Sequence, residues 1–355
     1  MKFIHTSDIH IDSPLTARLD RDKIKERRAE LISTLPRLAE EAMRHRAQAI
    51  LISGDLFDTG NVTKRAIRAF FDTVDGAPMI EFFVLPGNHD AEVFRSVDTG
   101  THPNLHIFEY GECATYELDG VSVTGISPCR EGMLDSLGLD EGKKNIVMLH
   151  GELRDRCSEE YESVGIKDAA GKNIDYIALG HYHSYSVHRI DERGVAVYSG
   201  TPEGRGFDEC GECGYVLIDT DGESVTHRFI PFARRRMRIA SLPLDGLEKA
   251  YDVMERAEEV LRDIPREDLV RLELCGSYTP GLWKDTSRIS DAWRERFYHF
   301  EVKDSSHISV NADDYKFDKT LKGEFIRMVY DDATLDEETK RRVVECGIFA
   351  LMGEE

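Results

Sequence analysis

The 355-residue sequence has no uninterrupted apolar run that approaches the roughly 18–20 residues of a membrane span. Cysteine is sparse, and its seven residues follow no framework spacing, so we expect reduced thiols rather than a disulfide scaffold. Positive charge is also scarce, because 46 Lys and Arg face 67 Asp and Glu, a formal net charge of −21. This balance argues against a surface that attracts nucleic acid over its whole extent, but it leaves room for a local basic track. Because an apolar strand begins next to Met1, we expect no cleavable signal sequence and a cytoplasmic location.

What the sequence does contain is five polar motifs, each directly after an apolar, strand-like run. The motifs are Asp8-Ile9-His10, Gly54-Asp55-Leu56-Phe57-Asp58, Gly87-Asn88-His89-Asp90, His150-Gly151 and Gly180-His181-Tyr182-His183. In open α/β sheets, ligands bind beyond the carboxyl ends of the strands. We therefore expect all five motifs to converge at one edge of one core.

The segments between the motifs predict an α/β fold. A helix is predicted over about residues 23–45, from the apolar stripe of Leu31, Leu35, Leu38 and Ala42. Such strand–loop–helix alternation is typical of α/β proteins, and from residue 174 onward the pattern is all β. The expected architecture is two packed β-sheets flanked by helices.

The length suits about two domains, and the composition changes near Pro231 and the arginine run that follows. We predict a first domain over residues 1–233. Residues 234–304 follow a β-α-β-α-β pattern and form a small α+β domain. Residues 305–355 are predicted to be a polar linker and two C-terminal helices.

Seven side chains in the motifs are candidate metal ligands: Asp8, His10, Asp55, Asn88, His150, His181 and His183. Carboxylate, amide and imidazole groups without thiolate suit Mn²⁺, Fe²⁺ or Zn²⁺. Seven ligands exceed the need of one tetrahedral ion, whereas a bridging carboxylate such as Asp55 would hold two ions about 3.5–4 Å apart. Two such ions supply hydroxide near neutral pH and offset the charge of an in-line phosphoryl transition state.

The motif series resembles that of the calcineurin-like metallophosphoesterase superfamily, over residues 1 to about 200. The resemblance implies one ion on Asp8, His10, Asp55 and His183, and a second on Asp55, Asn88, His150 and His181. It also implies that His89 is a proton donor or phosphate-orienting group, with Asp58 orienting His89. The alternative for His89 is a hydrogen-bonded turn residue.

Three stretches, Phe3–His10, Gly54–Gly60 and Ser199–Glu203, look like the DNA repair exonucleases of this superfamily, the SbcD-type nuclease subunits that work with an SMC-like ATPase. The resemblance implies a DNA exonuclease or endonuclease for end processing, with residues 234–304 as a capping domain. It implies two divalent ions, Mn²⁺ first and Fe²⁺, Zn²⁺ or Mg²⁺ as alternatives. The implied partners are DNA and an ATPase subunit on the C-terminal helices, and a homodimer is allowed.

Several alternatives stay open from the sequence. The same chemistry fits a cyclic-nucleotide or general phosphodiesterase or a phosphatase, and a vestigial site would leave a scaffold protein. Four arginines either grip DNA phosphates or form the solvated face of an edge strand: Arg234, Arg235, Arg236 and Arg238. The apolar faces of the last helices either pack on their own domain or receive a partner. Cys210 and Cys213 lack a second cysteine pair, so we expect incidental thiols rather than a zinc or redox site.

Overall fold

A computed structural model describes residues 1–15, 17, 19–58, 62–96, 102–157, 163–279, 282, 284–310 and 312–352. Its contacts divide the chain into two compact units, Met1–Met237 and Arg238–Glu355. Within the described ranges, no helix combines the length and the apolar character that crossing a membrane requires.

The first unit alternates strands and helices along most of its length. Its strands are β1 (Lys2–Thr6), β2 (Ala49–Ser53), β3 (Glu81–Leu85), β4 (Leu105–Ile107), β5 (Cys113–Leu118), β6 (Val121–Ile126), β7 (Lys144–His150), β8 (Glu152–Arg154), β9 (Ser163–Gly165), β10 (Tyr176–Gly180), β11 (Ser186–Arg189), β12 (Val195–Tyr198), β13 (Gly214–Asp219) and β14 (Thr226–Pro231). Its helices are α1 (Arg21–Ile32), α2 (Thr34–His45), α3 (Lys64–Gly76), α4 (Ala91–Ser96) and α5 (Ile166–Ala169), with a 3-10 turn at Leu134–Ser136.

The strands form two six-stranded sheets, ordered β14-β13-β1-β2-β3-β4 and β11-β12-β10-β7-β6-β5. In the first sheet β1 to β4 run parallel, and in the second β12, β10, β7 and β6 run parallel. The other strands of the two sheets are antiparallel additions at the sides, and β8 and β9 form a separate parallel pair. Each sheet therefore directs the carboxyl ends of four strands to one edge.

Alternation along the strands explains the layers. In β2, Ile50 and Ile52 join the apolar cluster with helices α2 and α3, whereas Ala49 and Leu51 join the cluster shared with the second sheet. Successive side chains of a strand point to opposite faces, so a fully buried strand needs apolar residues on both. A third cluster packs the outer face of the second sheet against α5 and the 3-10 turn. The prediction of two packed sheets flanked by helices is confirmed.

The single helix predicted over about residues 23–45 is wrong, because the structure has two helices, α1 and α2, separated at Ser33. Pro36 explains the break: it has no N–H to donate to the carbonyl of Ile32, and its ring crowds that carbonyl. The apolar stripe that suggested the helix is nevertheless buried as expected, since Leu31, Leu35, Leu38 and Ala42 are all inaccessible.

The second unit is a small α+β assembly. Its strands are β15 (which runs Met237–Pro243), β16 (Leu269–Cys275), β17 (Ser277–Tyr278), β18 (His299–Asp304) and β19 (His307–Ile308), and its helices are α6 (Ala250–Leu261), α7 (Thr286–Trp293), α8 (Leu321–Asp331) and α9 (Glu337–Met352), with a 3-10 turn at Ala312–Tyr315. The strands β15, β16 and β18 form a sheet in that order, with β16 parallel to β18. One apolar face of α8 and α9 packs into the core of this unit through Ile326, Val329, Val344 and Ile348.

Candidate metal centre

The sequence-predicted ligands follow the carboxyl ends of five strands. Asp8 and His10 follow β1, Asp55 follows β2, Asn88 follows β3, His150 ends β7, and His181 and His183 follow β10. Hydrogen bonds join the two sheets at this edge. His150 Nδ1 lies 3.0 Å from the Ser53 carbonyl oxygen, and the His181 N–H donates to both carboxylate oxygens of Asp8 at 3.1 Å.

Glycine makes the close approach of the sheets feasible. A Cβ at Gly180 would lie 1.8 Å from the Ser53 carbonyl oxygen. A Cβ at Gly54, whose φ is +88°, would lie 2.0 Å from His150 Nδ1. Both positions therefore require the smallest residue, and Gly54 also needs the left-handed conformation that glycine adopts readily.

Backbone strain is concentrated at the candidate ligands. Asp8, His10, Asp55 and His181 all have positive φ, at 51°, 45°, 52° and 110°. Residues other than glycine rarely adopt such conformations, which cost about 1–3 kcal/mol each and persist where the surroundings enforce them. The packing of both sheets thus holds these side chains in orientations that an isolated loop would not keep.

Two groups of three side chains could each hold a metal ion, because each residue offers one ligand atom and the three atoms of a group lie within 4.8 Å of one another. The groups are Asp8, His10 and His183, and Asp8, Asp55 and His150. Asp55 Oδ2 lies between the groups, 3.6 Å from His10 Nε2 and 3.5 Å from His150 Nε2. Among the described residues, neither ring nitrogen of the buried His10 has a hydrogen-bond partner. Burial lowers the pKa of His10 to about 4, which leaves it neutral. A buried, neutral, unpartnered imidazole beside carboxylates fits a divalent metal ion.

The pair of His150 and Asp55 indicates how the protein balances charge when it holds no metal. Burial disfavours the charged forms, but the mutual hydrogen bond and charge attraction raise the pKa of His150 to about 10 and lower that of Asp55 to about 2. The Nδ1 proton of His150 faces the Ser53 carbonyl, so Nε2 faces Asp55 and also Asn88 Oδ1, at 3.2 Å. His150 Nε2, Asp55 and Asn88 Oδ1 thus surround the Nε2 proton of His150, and a metal ion could take the place of that proton.

His181 stands apart from these groups. Its ring centroid lies 5.6 Å from that of His150, and the residue is exposed, as is Asn88. The two groups, which consist of imidazoles and carboxylates, contain five of the seven predicted ligands. Asn88 adjoins them through the 3.2 Å contact of its Oδ1 with His150 Nε2, and His181 lies beside His150 on the exposed side.

His89 lies beside this cluster. Its Nδ1 is 3.2 Å from Asp58 Oδ1, its side chain is 41% exposed, and its ring centroid is 5.5 Å from that of His10. Asp58 is held in turn by Ser13, whose hydroxyl donates to Oδ2 at 2.9 Å. The arrangement directs the Nδ1 proton of His89 to Asp58 and leaves Nε2 for a substrate.

Comparison with known proteins places these observations in a family. The model of the calcineurin-like phosphoesterase family matches residues 1–185, just over half of the 355-residue chain. The chain belongs to this family. The resemblance inferred from the motifs is thereby confirmed.

Three curated relatives of this calcineurin-like phosphoesterase share about a quarter of their aligned residues with it. The uncharacterized metallophosphoesterase YhaO of Bacillus subtilis is 25% identical, over 64% of this chain and 60% of its own length. The DNA double-strand break repair protein Mre11 of Methanosarcina acetivorans is 24% identical, over 78% of this chain and 46% of its own length. The SbcD component of the SbcCD nuclease of Escherichia coli is 25% identical, over 77% of each chain. The chain thus spans about half to three quarters of these relatives.

Three residues that shape the site of this phosphoesterase were not predicted as site residues. The buried carboxylate of Asp90 accepts the N–H groups of Gly87 and Leu56, both at 2.7 Å, and so ties two ligand loops together. Burial and the charge of Asp55 raise the pKa of Asp90 to about 7. Arg205 and Glu209 lie beyond the carboxyl end of β12, and Glu209 Oε1 is 2.8 Å from His183 Nδ1. Because β12 is parallel to β10, its position was a signal that could have identified them.

The four arginines proposed for DNA binding each lie at ion-pair distance from a carboxylate. The partners are Glu30 for Arg234, Glu26 and Glu30 for Arg235, Glu212 for Arg236 and Asp268 for Arg238. Arg234 is the most exposed of them, at 50% of its side chain. The thiols of Cys210 and Cys213 donate to backbone carbonyls, and neither residue belongs to the two candidate metal groups found among the described residues.

Proposed function

We propose that this calcineurin-like phosphoesterase is a two-metal-dependent phosphodiesterase that hydrolyses DNA. The observation that carries the proposal is the convergence of imidazole and carboxylate ligands at one sheet edge, with the His89–Asp58 pair beside them. The shared carboxylate oxygen of Asp55, between His10 and His150, supports a site for two ions rather than one.

The proposed ligands divide into two sets, Asp8, His10, Asp55 and His183 for one ion and Asp55, Asn88, His150 and His181 for the other. Two bound divalent ions would supply hydroxide near neutral pH and offset the charge of the phosphoryl group. The mixture of imidazole and carboxylate favours Mn²⁺, with Fe²⁺, Zn²⁺ and Mg²⁺ as alternatives. Asn88 and His181 lie on the exposed side, where a phosphodiester would approach.

His89 is the proposed general acid. Asp58 Oδ1, 3.2 Å from Nδ1, orients the ring. In this proposal Nε2 gives a proton to the leaving oxygen. Such assistance typically contributes about 10²–10⁴ to the rate. The partial exposure of His89 lets it reach a bound phosphate without a large movement of the loop.

Two observations support DNA as the substrate. Two of the relatives are named as a DNA double-strand break repair protein and a component of a nuclease. The phosphate-facing side is also open, since Asn88 and His181 are exposed and Tyr182 is 43% exposed. An open edge accommodates a polymer, whereas a small substrate favours an enclosing pocket.

A general phosphodiesterase is the second candidate, and the charge distribution favours it. The net charge is −21, and the arginine run is paired with carboxylates instead of standing free for phosphates. A small diester needs only the metals and His89, so it tolerates an acidic surface.

We also propose a division of labour in which residues 1–233 catalyse, residues 234–304 cap the substrate and residues 305–355 dock a partner. The support is a pair of exposed apolar residues on α8, Leu321 and Met328, which are 69% and 71% exposed, with the 86% exposed Phe317 in the turn before the helix. A coiled-coil segment of an SMC-like ATPase is the proposed occupant, because apolar residues seven apart on a helix lie on one face and suit helix-to-helix docking. Light scattering of the isolated protein would detect a homodimer instead.

Cleavage assays test the substrate. Duplex, single-stranded and hairpin DNA should be degraded with Mn²⁺, beside hydrolysis of bis(p-nitrophenyl) phosphate, and Asp55→Asn should abolish all of these reactions. Hydrolysis of the small diester with intact DNA under all conditions would favour the general phosphodiesterase. A protein inert toward both classes, with metal bound, would refute catalysis by this site.

A further inference from the structure

Arg205 lies at the junction of two hydrogen-bonded chains that end at different parts of the candidate centre. Its side chain is 12% exposed, and its guanidinium has donors on three nitrogens. Nε and Nη2 donate to Glu209 Oε1 at 3.0 and 2.5 Å, and Nη1 donates to Ser13 Oγ at 3.1 Å. The Arg205 N–H also donates to Glu209 Oε2, at 2.6 Å, which fixes both ends of that carboxylate.

The first chain runs from Arg205 through Glu209 to His183. His183 Nδ1 lies 2.8 Å from Glu209 Oε1 and 3.3 Å from Arg205 Nη2. The carboxylate is the nearer of the two and can only accept, so it takes the Nδ1 proton. That contact selects the tautomer in which Nε2 of His183 carries the lone pair, and Nε2 is directed toward Asp8 Oδ1, 3.8 Å away. A ligand imidazole held through its other nitrogen is oriented for metal binding, and loss of such a contact costs about 10–100-fold in metal affinity.

The second chain runs from Arg205 through Ser13 and Asp58 to His89. An arginine has donors only, so Ser13 Oγ must accept from it and direct its own proton elsewhere. That proton goes to Asp58 Oδ2, at 2.9 Å. Oδ1 of Asp58 is then free to accept from His89 Nδ1, at 3.2 Å.

We propose that Arg205 is a positioning residue that orients His183 for metal binding and His89 for proton transfer at the same time. The inference rests on the proposed function and extends it, because it assigns one guanidinium to both halves of the chemistry. It predicts that removal of Arg205 weakens both metal binding at His183 and proton transfer by His89.

The test separates the two chains with three variants of the full chain. Glu209→Gln should lower Mn²⁺ affinity by about 10–100-fold and leave unchanged the ratio of rates for p-nitrophenyl and phenyl diesters. Ser13→Ala should keep Mn²⁺ affinity and lower the rate for the phenyl diester selectively, by about tenfold or more, because only a poor leaving group needs the proton. Arg205→Gln should show both effects. Calorimetric Mn²⁺ titration measures affinity without reference to turnover.

Arg193→Gln is the matched control. Arg193 also forms a forked ion pair, with Asp175. Asp175 lies directly before β10, at the opposite end of that strand from His181. Arg193→Gln should lose about as much stability as Arg205→Gln, but it should keep the Mn²⁺ affinity and the leaving-group ratio. The proposal is overturned if Arg205→Gln keeps either the Mn²⁺ affinity or the leaving-group ratio, or if Arg193→Gln reproduces both losses. A wild-type protein that binds Mn²⁺ but hydrolyses no diester would refute the proposed function instead, and the titrations would still test the His183 chain.

Discussion

Gly180→Ala should disrupt the candidate centre by forcing its two halves apart. The new Cβ would lie 1.8 Å from the Ser53 carbonyl oxygen and 2.8 Å from His150 Nδ1, whereas real contacts almost never fall below 3.0 Å. The Ser53 backbone must therefore retreat by about 1.2 Å, and an overpacked core of this kind costs about 1–3 kcal/mol of unfolding free energy. Ser53 precedes Asp55 and its carbonyl holds His150, so the ligands of both sheets move relative to each other. Misplacement by about 1 Å costs about 10²-fold in rate.

The measurements are metal content by elemental analysis, Mn²⁺-dependent hydrolysis of bis(p-nitrophenyl) phosphate, and urea unfolding. Gly76→Ala is the control, because its Cβ at the end of α3 would meet nothing within 4 Å. We expect the control to match the wild type, and Gly180→Ala to lose about 10²-fold in activity together with part of its metal. A folded Gly180→Ala protein with wild-type metal content and rate would refute the argument that close sheet approach sets the site.

Three further predictions concern single residues. His89→Ala should keep its metal and lose about 10²–10⁴ in rate, measured by elemental analysis and steady-state assay, whereas loss of metal would make His89 a ligand. Mn²⁺ affinity should rise with pH, by up to about tenfold per unit, because the ion must displace the proton that the raised pKa of His150, about 10, retains on the metal-free site. A flat affinity between pH 6 and about 9 would contradict this competition. Arg27→Met should cost about 3–5 kcal/mol in urea unfolding, since it removes the fully buried partner that Glu30 and Glu203 share, and a loss below about 1 kcal/mol would show that Arg37 and Arg235, which also pair with these carboxylates, balance them without it.

The position of the candidate centre could be predicted from the sequence because strand ends carry the information locally. Each motif directly follows its own apolar run, and parallel strands bring their carboxyl ends to one edge whatever the lengths of the connections. The approach of Gly180 to Ser53 was implicit in the same pattern, although only the folded structure gives its distance. The break between α1 and α2 was also present in the sequence, as Pro36, but the apolar stripe that continues across it suggested one helix.

Contacts between segments far apart in the chain could not be predicted. The position of Glu209 beyond β12 could have placed it at the site, but it lies in a loop without periodic pattern, so no spacing rule indicates that it contacts His183. The arginine run posed the same difficulty. Arg235 pairs with Glu26 and Glu30 on α1, more than 200 residues earlier, and such long-range pairing leaves no trace in local composition.

These pairings change what can attract DNA. Glu203 accepts from Arg27, Arg37 and the Arg234 N–H, so the start of the basic run is anchored beside the loop that carries Arg205. Arginines engaged in this way hold the outer part of the site in place and offer little charge to a phosphate backbone. The proposed ligand set, by contrast, contains only two carboxylates, so two divalent ions together with these ligands would carry a net positive charge. On the proposed function, the attraction for phosphate in a chain of net charge −21 is therefore created by metal binding at the reacting edge, and substrate affinity should depend more on metal than on the arginine run.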